Sequence, residues 1–437
     1  PGILAAENWD DHDRSHRTMA RDIGWNYLQS TLPNAIVLNY GDNDTFPLWF
    51  NQEVDGVRTD VRVMNTSYLG GEWYIDEMKT RANDAAPVPF TLPRSKYAFV
   101  NDMVRVIPKV ERPVDIREAM DFFRSEDPRT KVPLVDGTTI DYLPAQRLAL
   151  PVNKDNAIAA GIVKEEDRDL MVDTVYLNLR RGVLDKSELM VIDLLSNFDW
   201  KRPIHFTQVY ILQNLGLTDY LQFDGYSYRL VPILTPYDRR VGEIGRIDPD
   251  VIYPLLMETF RYGNVSDPRV YVDNFIQYNL MASGAREAFA RAAKAFLRRG
   301  GAGDRDKAVA LLDAGLEKMP PAQIRYTFSN TFPFLEAYYA AGEMEKGDAL
   351  LLSYAENLMQ YLDYYLAFEG VQGDMVSGLI DDKLDELGQI YLLAGYAGRR
   401  DAVARLNDYY RTLGATDEDL LHVDAPGEAT DSLLPIP

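Results

Sequence analysis

The chain has 437 residues, which is long enough for two or three domains with a sizeable core. Its 67 acidic residues outnumber its 46 basic residues, so the net charge is −21, and without a basic run no nucleic-acid partner is expected. Cysteine is absent, which excludes disulfides, thiolate metal ligands and cysteine nucleophiles. No stretch approaches the roughly 18 consecutive apolar residues that a membrane span needs, so we expect this part of the protein to be soluble.

The first elements along the chain predict a strand, a helix and a second strand. The apolar run at 35–38 indicates a buried strand, and the polar stretch NYGDNDTF follows it at 39–46. Asp44 or Thr45 is expected to cap a short helix that has Pro47 in its first turn. The alternating stretch TDVRVMN at 59–65 indicates the second strand. Such a unit joins two parallel strands through a right-handed crossover.

The rest of the first half also alternates between the two element types. Helical periodicity occurs at 72–82, 115–125 and 185–198, and the last segment opens with Asp185 and Glu188 at capping-box spacing. Strand patterns occur at 133–143, with a turn at Asp136–Gly137, and at 173–179, 202–210 and 226–234. This alternation predicts an α/β domain with a mainly parallel sheet over residues 1–240.

The second half predicts a helical domain over residues 250–437. Strand patterns stop after the polar segment 235–250, where we place the domain boundary. The segment 304–320 has Ala308, Leu312, Gly315 and Pro320 at the spacing of the second helix of a tetratricopeptide repeat, and 335–358 and 387–413 repeat the scheme. We therefore expect an all-α, tetratricopeptide-like repeat domain, with most of its clustered tyrosines in the core and others on a concave binding face.

Several segments together resemble one family of large bacterial membrane proteins. They are AAENWDDHDRS (5–15), NYGDNDTFPLWFNQEVDGVRTDVRVMN (39–65), WYIDEMK (73–79), KRPIHF (201–206) and DGYSYRLVPI (224–233). The resemblance is to the extracytoplasmic, carboxyl-terminal part of proteins that carry the domain of unknown function 2723. Those proteins are classed as glycosyltransferase family 117 and are similar to protein O-mannosyltransferases of the GT-C type.

The resemblance implies a location and a context for this chain. It implies an extracytoplasmic, periplasmic position, tethered to the membrane through an amino-terminal membrane domain that would be its partner. In GT-C enzymes the catalytic aspartate lies in a loop between early transmembrane helices, and that region is not in this sequence, so no catalytic residue is assigned. The implied function is an accessory or acceptor-binding role in glycan transfer, with a protein or a glycan as acceptor. The alternatives are a tetratricopeptide-type interaction module without a catalytic role, or a metal-dependent glycosyltransferase or hydrolase.

Polar side chains follow both strands of the first unit at the point where each strand ends. The carboxyl ends of neighbouring parallel strands meet at one edge of a sheet, and the intervening helix directs its amino terminus to that edge. The sequence therefore predicts a ligand-binding pocket formed by Asp42, Asn43, Asp44, Thr45, Asn65 and Thr66, with Ser67 beside them.

Two interpretations of the DND motif at 42–44 stay open. Its spacing is that of aspartates that hold a divalent cation, Ca²⁺ or Mg²⁺, against a diphosphate in nucleotide-sugar glycosyltransferases. The structural alternative, which we favour, is that Asp42 forms an Asx turn and Asp44 caps the helix.

A second acidic cluster occurs in the sequence ENWDDHDRSH. Asp10, Asp11, His12 and Asp13 are candidate metal ligands. If the segment is helical from about Asp11, His12 and His16 share one face and could bind zinc with a neighbouring carboxylate. Alternatively, Asp10, Asp11 or Asp13 could hold calcium together with the Asp42/Asp44 loop. We favour the simpler interpretation, an acidic first turn that interacts with the helix dipole. His205 lies within an apolar strand pattern and is expected to be a packed, hydrogen-bonded side chain.

Overall fold

The structure is a computed structural model that describes residues 2–12, 16–135, 137–237, 243–274 and 284–420, apart from the side chains at 10–12. The chain divides into two compact units. The first, the α/β unit, spans residues 18–263. The second, the helical unit, combines the amino-terminal segment with the part of the chain that begins at Asn264. An α/β region followed by an all-helical region confirms the predicted fold class.

The described strands all belong to the α/β unit. In chain order they are β1 (Ile36–Asn39), β2 (Arg62–Asn65), β3 (Met103–Val106), β4 (Val114–Asp115), β5 (Lys131–Pro133), β6 (Thr139–Leu143), β7 (Arg147–Pro151), β8 (Thr174–Asn178), β9 (Val183–Asp185), β10 (Ile204–Phe206), β11 (Leu221–Phe223) and β12 (Tyr228–Leu230). They form sheets of five, four and three strands, with the orders β11-β12-β10-β1-β2, β5-β6-β3-β9 and β4-β7-β8.

The described helices are distributed over both units. In chain order they are α1 (Gly2–His12), α2 (Met19–Gln29), α3 (Asp42–Glu53), α4 (Glu72–Met78), α5 (Ile116–Arg124), α6 (Lys154–Ala159), α7 (Lys186–Ser196), α8 (Tyr210–Leu215), α9 (Pro249–Pro254), α10 (Arg286–Arg299), α11 (Asp304–Lys318), α12 (Phe328–Ala340), α13 (Met344–Leu366), α14 (Gly370–Tyr396) and α15 (Arg400–Thr412). None of the helices within the described residues is long and apolar enough to cross a membrane.

The first strand–helix–strand unit forms as its sequence indicates. β1 and β2 are parallel neighbours, with Ile36 opposite Arg62 and Asn39 opposite Asn65. The helix between them begins earlier than expected, because Gly41 occupies the N-cap position and neither Asp44 nor Thr45 caps it. Pro47 consequently lies inside α3 and not in its first turn. A φ of +81° at Gly41 explains the glycine, since other residues rarely adopt this conformation.

All three sheets are mixed, whereas the sequence predicts a mainly parallel arrangement. β1 is parallel to β2 and β10, but β12 is antiparallel to both β10 and β11. Four residues connect β11 to β12, and so short a connection can join only antiparallel strands. The pair β5 and β6 is antiparallel for the same reason, as the predicted turn at 136–137 requires, although Asp136 itself lies outside the described residues.

The helix α7 anchors the core of the α/β unit. Its capping box is present as predicted, because Asp185 accepts a hydrogen bond from the Glu188 backbone and Glu188 accepts one from the Asp185 backbone. Its residues 189–192 are all buried, in the same cluster as Leu38 of β1 and Met64 of β2. The first sheet is thereby held on a packed layer, and its carboxyl edge occupies a defined position.

Close helix packing in the helical unit depends on small residues. A Cβ on Gly315 of α11 would lie 2.9 Å from Phe334 and 3.1 Å from Phe289, so α10 and α12 approach at this glycine. The helices α13 and α14 have 23 and 27 residues. Each is too long to be one of the two helices of a 34-residue tetratricopeptide repeat. Residues 370–386 of α14 include no buried residue.

Candidate functional site

The candidate site lies at the carboxyl edge of β1 and β2, as predicted from the order of the elements. Asn39 and Asn65 end the two strands side by side, and α3 begins three residues after Asn39. Gly41 makes this short connection possible through its positive φ. The edge thus brings together the polar residues of two segments that are more than twenty residues apart in the chain.

Most of the predicted ligand-binding residues lie beneath the surface, in a hydrogen-bonded network. The Thr45 hydroxyl accepts hydrogen bonds from the side-chain amides of Asn39 and Asn65 and donates one to the Gly41 carbonyl. The Thr66 hydroxyl donates to the Asn39 carbonyl at 2.8 Å. All four of these side chains are buried. The network therefore joins β1, β2 and the start of α3 to one another.

Asp44 lies in the same buried layer, with 2% of its surface exposed. Its Oδ2 accepts hydrogen bonds from the Thr207 hydroxyl and from the Tyr40 backbone N–H. Its Oδ1 and the Oδ1 of Asn39 are both buried and have no donor among the described residues. Burial raises the pKa of the Asp44 carboxyl, and the hydrogen bond from Thr207 offsets part of that effect.

Asp42 and Asn43 lie on the surface, unlike the other predicted residues. Asp42 Oδ1 accepts a hydrogen bond of 2.9 Å from the Tyr68 hydroxyl. Together, Asp42 and Asp44 place two carboxyl groups in the first turn of α3, where the helix dipole favours negative charge. Because these groups already occupy that position, the helix amino terminus is a poor site for a phosphate.

A row of aromatic side chains extends from Asp42 across the surface, and we name it the aromatic row (Phe46, Trp49, Tyr68 and Trp73). Successive ring centroids are 5.9, 6.4 and 6.3 Å apart. Phe46 is 52% exposed and Trp73 is 60% exposed, which is unusual for such large rings. Polar groups that converge beside exposed aromatic rings are a common feature of ligand sites.

The other side of the edge offers little free space. A crevice of about 10 Å³ lies between β1 and β10 and is lined by Leu38, Asn39, Tyr40, Thr66, Gln208, Tyr210 and Ile211. That volume is close to the minimum for one water molecule. A ligand of any size at this edge must therefore contact the exposed surface, where Asp42, Asn43 and the aromatic row lie.

The structure leaves the proposed metal ligands largely undescribed. The side chains of Asp10, Asp11 and His12 and the whole of Asp13 lie outside the described residues. The predicted acidic first turn is wrong, because α1 ends at His12 and has no acidic residue in its first turn. His16 lies outside α1, so His12 and His16 do not share a helix face. Within the side chains that are described, no group of three or more His, Asp or Glu is arranged to hold a metal ion.

His205 is a buried structural side chain, as predicted. Its Nε2 accepts a hydrogen bond from the Leu32 backbone N–H, and its Nδ1 lies 3.0 Å from the Ser227 hydroxyl. Burial lowers its pKa well below the ordinary value, so the ring is neutral at physiological pH.

Sequence reasoning missed the aromatic row. Phe46 and Trp49 are three residues apart on α3 and therefore share a helix face, a signal that could have been read from the sequence. Tyr68 and Trp73 follow β2, and only the pairing of β1 with β2 brings them beside α3.

Comparison with known proteins identifies the family of the α/β unit. The family model described as TMEM260-associated domain 2 matches residues 20–251, which is more than half of the chain. No curated protein and no solved structure gives a match. The matched residues include every predicted ligand-binding residue of the carboxyl edge together with the aromatic row. The chain therefore belongs to the TMEM260-associated domain 2 family.

Proposed function

We propose that the α/β unit binds a carbohydrate acceptor at the aromatic row. In this proposal the chain is the extracytoplasmic, accessory part of a membrane-tethered glycosyltransferase of the GT-C type, and its own membrane domain is its partner. The observation that carries the proposal is the row of four rings, of which Phe46 and Trp73 are exposed and Tyr68 bonds to the surface carboxylate of Asp42.

The chemistry of the row suits a neutral sugar. The C–H groups on one face of a pyranose pack against an aromatic ring, and its hydroxyl groups form hydrogen bonds with carboxylate and amide side chains. Asp42, whose carboxylate bonds to Tyr68 of the row, offers carboxylate oxygens, and the next residue, Asn43, offers an amide; both residues are exposed. The acidic first turn of α3 disfavours a phosphate. These features support a neutral acceptor glycan over a phosphorylated sugar donor.

Family membership and sequence resemblance supply the context of the proposal. The chain belongs to the TMEM260-associated domain 2 family, and its blocks at 39–65 and 224–233 resemble the domain of unknown function 2723 family. That resemblance carries the proposed periplasmic location, the link to sugar transfer and the membrane partner. The catalytic residues of such an enzyme would lie in the membrane domain.

The proposal predicts that neutral oligosaccharides bind and that Trp73 contributes to the binding. Calorimetric titration of the purified chain with mannotriose and with other neutral trisaccharides should show saturable binding of at least one sugar. Replacing the exposed ring in Trp73→Ala should weaken binding about tenfold, because one stacking surface is lost. Tyr364→Ala is the matched control, since Tyr364 is 62% exposed in the helical unit. Absence of binding by every sugar tested would contradict the proposal.

A second candidate function is a protein-interaction module in the helical unit. Val371, Met375 and Leu379 lie four residues apart on α14 and are 76%, 79% and 45% exposed. Residues four apart share a helix face, so they form an apolar line that faces solvent. A pull-down with the unaltered protein and with the Val371→Asp, Met375→Asp variant tests this candidate function. We expect the unaltered protein to retain a partner that the variant loses.

A further inference from the structure

A second cleft lies on the α/β unit, at the open edge of the first sheet. β2 is the last strand of this sheet, and α3 and α4 flank it. The cleft has a volume of about 260 Å³, which is enough for one or two amino-acid residues. It is lined by Trp49, Gln52, Glu53, Val61, Arg62, Val63, Glu77, Met78, Ala82 and Asn83. Trp49 is the one residue that this cleft shares with the aromatic row.

The backbone of Val63 lines this cleft with a free donor and a free acceptor. The Arg62 N–H bonds to Ala35 beside β1, so the backbone groups of Val63 point the other way, out of the sheet. The neighbouring outward groups are satisfied, because Gln52 donates to the Val61 carbonyl and the Tyr74 hydroxyl accepts from the Asn65 N–H. Outside the strand ladders, none of the described backbone hydrogen bonds involves the Val63 N–H or carbonyl, and Val63 is 5% exposed. An edge of this kind can pair with another extended chain.

Arg62 adds a buried positive charge that forms no ion pair with a described carboxylate, although the charge of Glu77 acts on it from a greater distance. Arg62 is only 4% exposed, and its Nη2 donates to the Glu77 carbonyl at 3.0 Å. Its Nε is buried without an acceptor, and none of the described carboxylates lies within 4.0 Å of its guanidinium. Burial lowers the pKa of Arg62, and the nearby Tyr74 and Glu77 offset only part of that effect. A bound carboxylate would supply the remaining compensation.

The rim of the cleft has the opposite charge. Glu53 and Glu77 are both exposed and line it. Glu53 accepts a hydrogen bond from Asn83 at 2.7 Å, whereas the Glu77 carboxylate bonds to none of the described residues. The cleft therefore combines a buried cation, a free strand edge and an acidic mouth.

We propose that this cleft binds the carboxyl-terminal end of an extended peptide. The terminal carboxylate is received by Arg62, the peptide backbone pairs with Val63, and a basic side chain near the end lies between Glu53 and Glu77. Val61, Met78 and Trp49 provide an apolar wall for the last side chain. Two acidic residues at the mouth would repel a free phosphate, which carries no compensating positive charge. This proposal does not rest on the proposed carbohydrate function, although Trp49 belongs to both surfaces.

Two peptides that differ in a single group test the proposal on the unaltered protein. The probe is acetyl-Lys-Ala-Val with a free carboxylate, and its partner is the same peptide as a carboxamide. Because only the acid can compensate Arg62, it should bind at least about tenfold more tightly in a calorimetric titration. Equal affinities for the two peptides, or no binding of either at millimolar concentration, would overturn the proposal.

Substitutions at the exposed rim test the preference for a basic residue. Glu53→Gln combined with Glu77→Gln should abolish the difference in affinity between acetyl-Lys-Ala-Val and acetyl-Ala-Ala-Val while retaining the preference for the free acid. Glu118→Gln, on the exposed surface of α5, is the matched control and should leave both preferences unchanged. If the unaltered protein does not distinguish lysine from alanine, the role assigned to the rim is overturned.

Discussion

Asp44 illustrates how one buried carboxyl group couples the candidate site to stability. Burial raises the pKa of this carboxyl above the value of about 3.9 expected in the unfolded chain. The stability that it contributes is therefore fully present below pH 4 and is lost as the pH rises through its folded pKa. Asp44→Asn keeps an oxygen that accepts the hydrogen bond from Thr207. Its amide also provides a donor in the layer where Asp44 Oδ1 and Asn39 Oδ1 are now buried without one.

We expect the unaltered protein to lose stability relative to Asp44→Asn as the pH rises from 4 towards neutrality. Urea unfolding of both proteins across that range measures the difference directly, provided that the slopes agree. Stability curves that run parallel over the whole range would show that burial does not shift the pKa of Asp44.

Asp42→Asn, an exposed change in the same turn, tests whether sugar binding needs the surface carboxylate, and about a fivefold loss of affinity is expected.

At the scale of the element, two glycines inside helices should respond in opposite ways to substitution by alanine. A Cβ at Gly315 of α11 would meet Phe334 at 2.9 Å and Phe289 at 3.1 Å, both in fully buried rings, so we expect Gly315→Ala to destabilise the protein by about 1–3 kcal/mol. A Cβ at Gly378 of α14 meets nothing within 4 Å. Gly378→Ala should therefore stabilise by about 0.5–1 kcal/mol through helix propensity alone. Thermal unfolding compares the two, and the same sign for both would contradict this account of the packing.

At the scale of the whole molecule, the two candidate functions belong to different units and can be separated. Val371→Asp with Met375→Asp changes only exposed side chains, so unfolding free energy should stay within about 0.5 kcal/mol of the original. Under the carbohydrate proposal, sugar affinity of this variant is unchanged, while Trp73→Ala lowers both affinity and the glycan transfer of the full-length parent. Should transfer fall only with the α14 variant, the interaction module would be the better account.

The element types were largely predictable, because they depend on neighbours within a few residues. The alternation of strands and helices, the capping box of α7 and the parallel pair β1 and β2 were all expressed in local patterns. The mixed sheets were less accessible, since β11 is only three residues long and the antiparallel pairing of β12 with β10 joins segments that are distant in the chain.

The sequence by itself determined that polar residues would gather where β1 and β2 end, because parallel strands align their carboxyl ends. It could not determine which of those residues reach solvent. Asp44 is covered by Thr207, 163 positions away, whereas Asp42, two residues earlier, stays on the surface. The aromatic row and the free edge at Val63 likewise exist only once distant segments pair. Exposure is a property of the assembled layers, and for that reason tertiary structure alone decided which groups a ligand can touch.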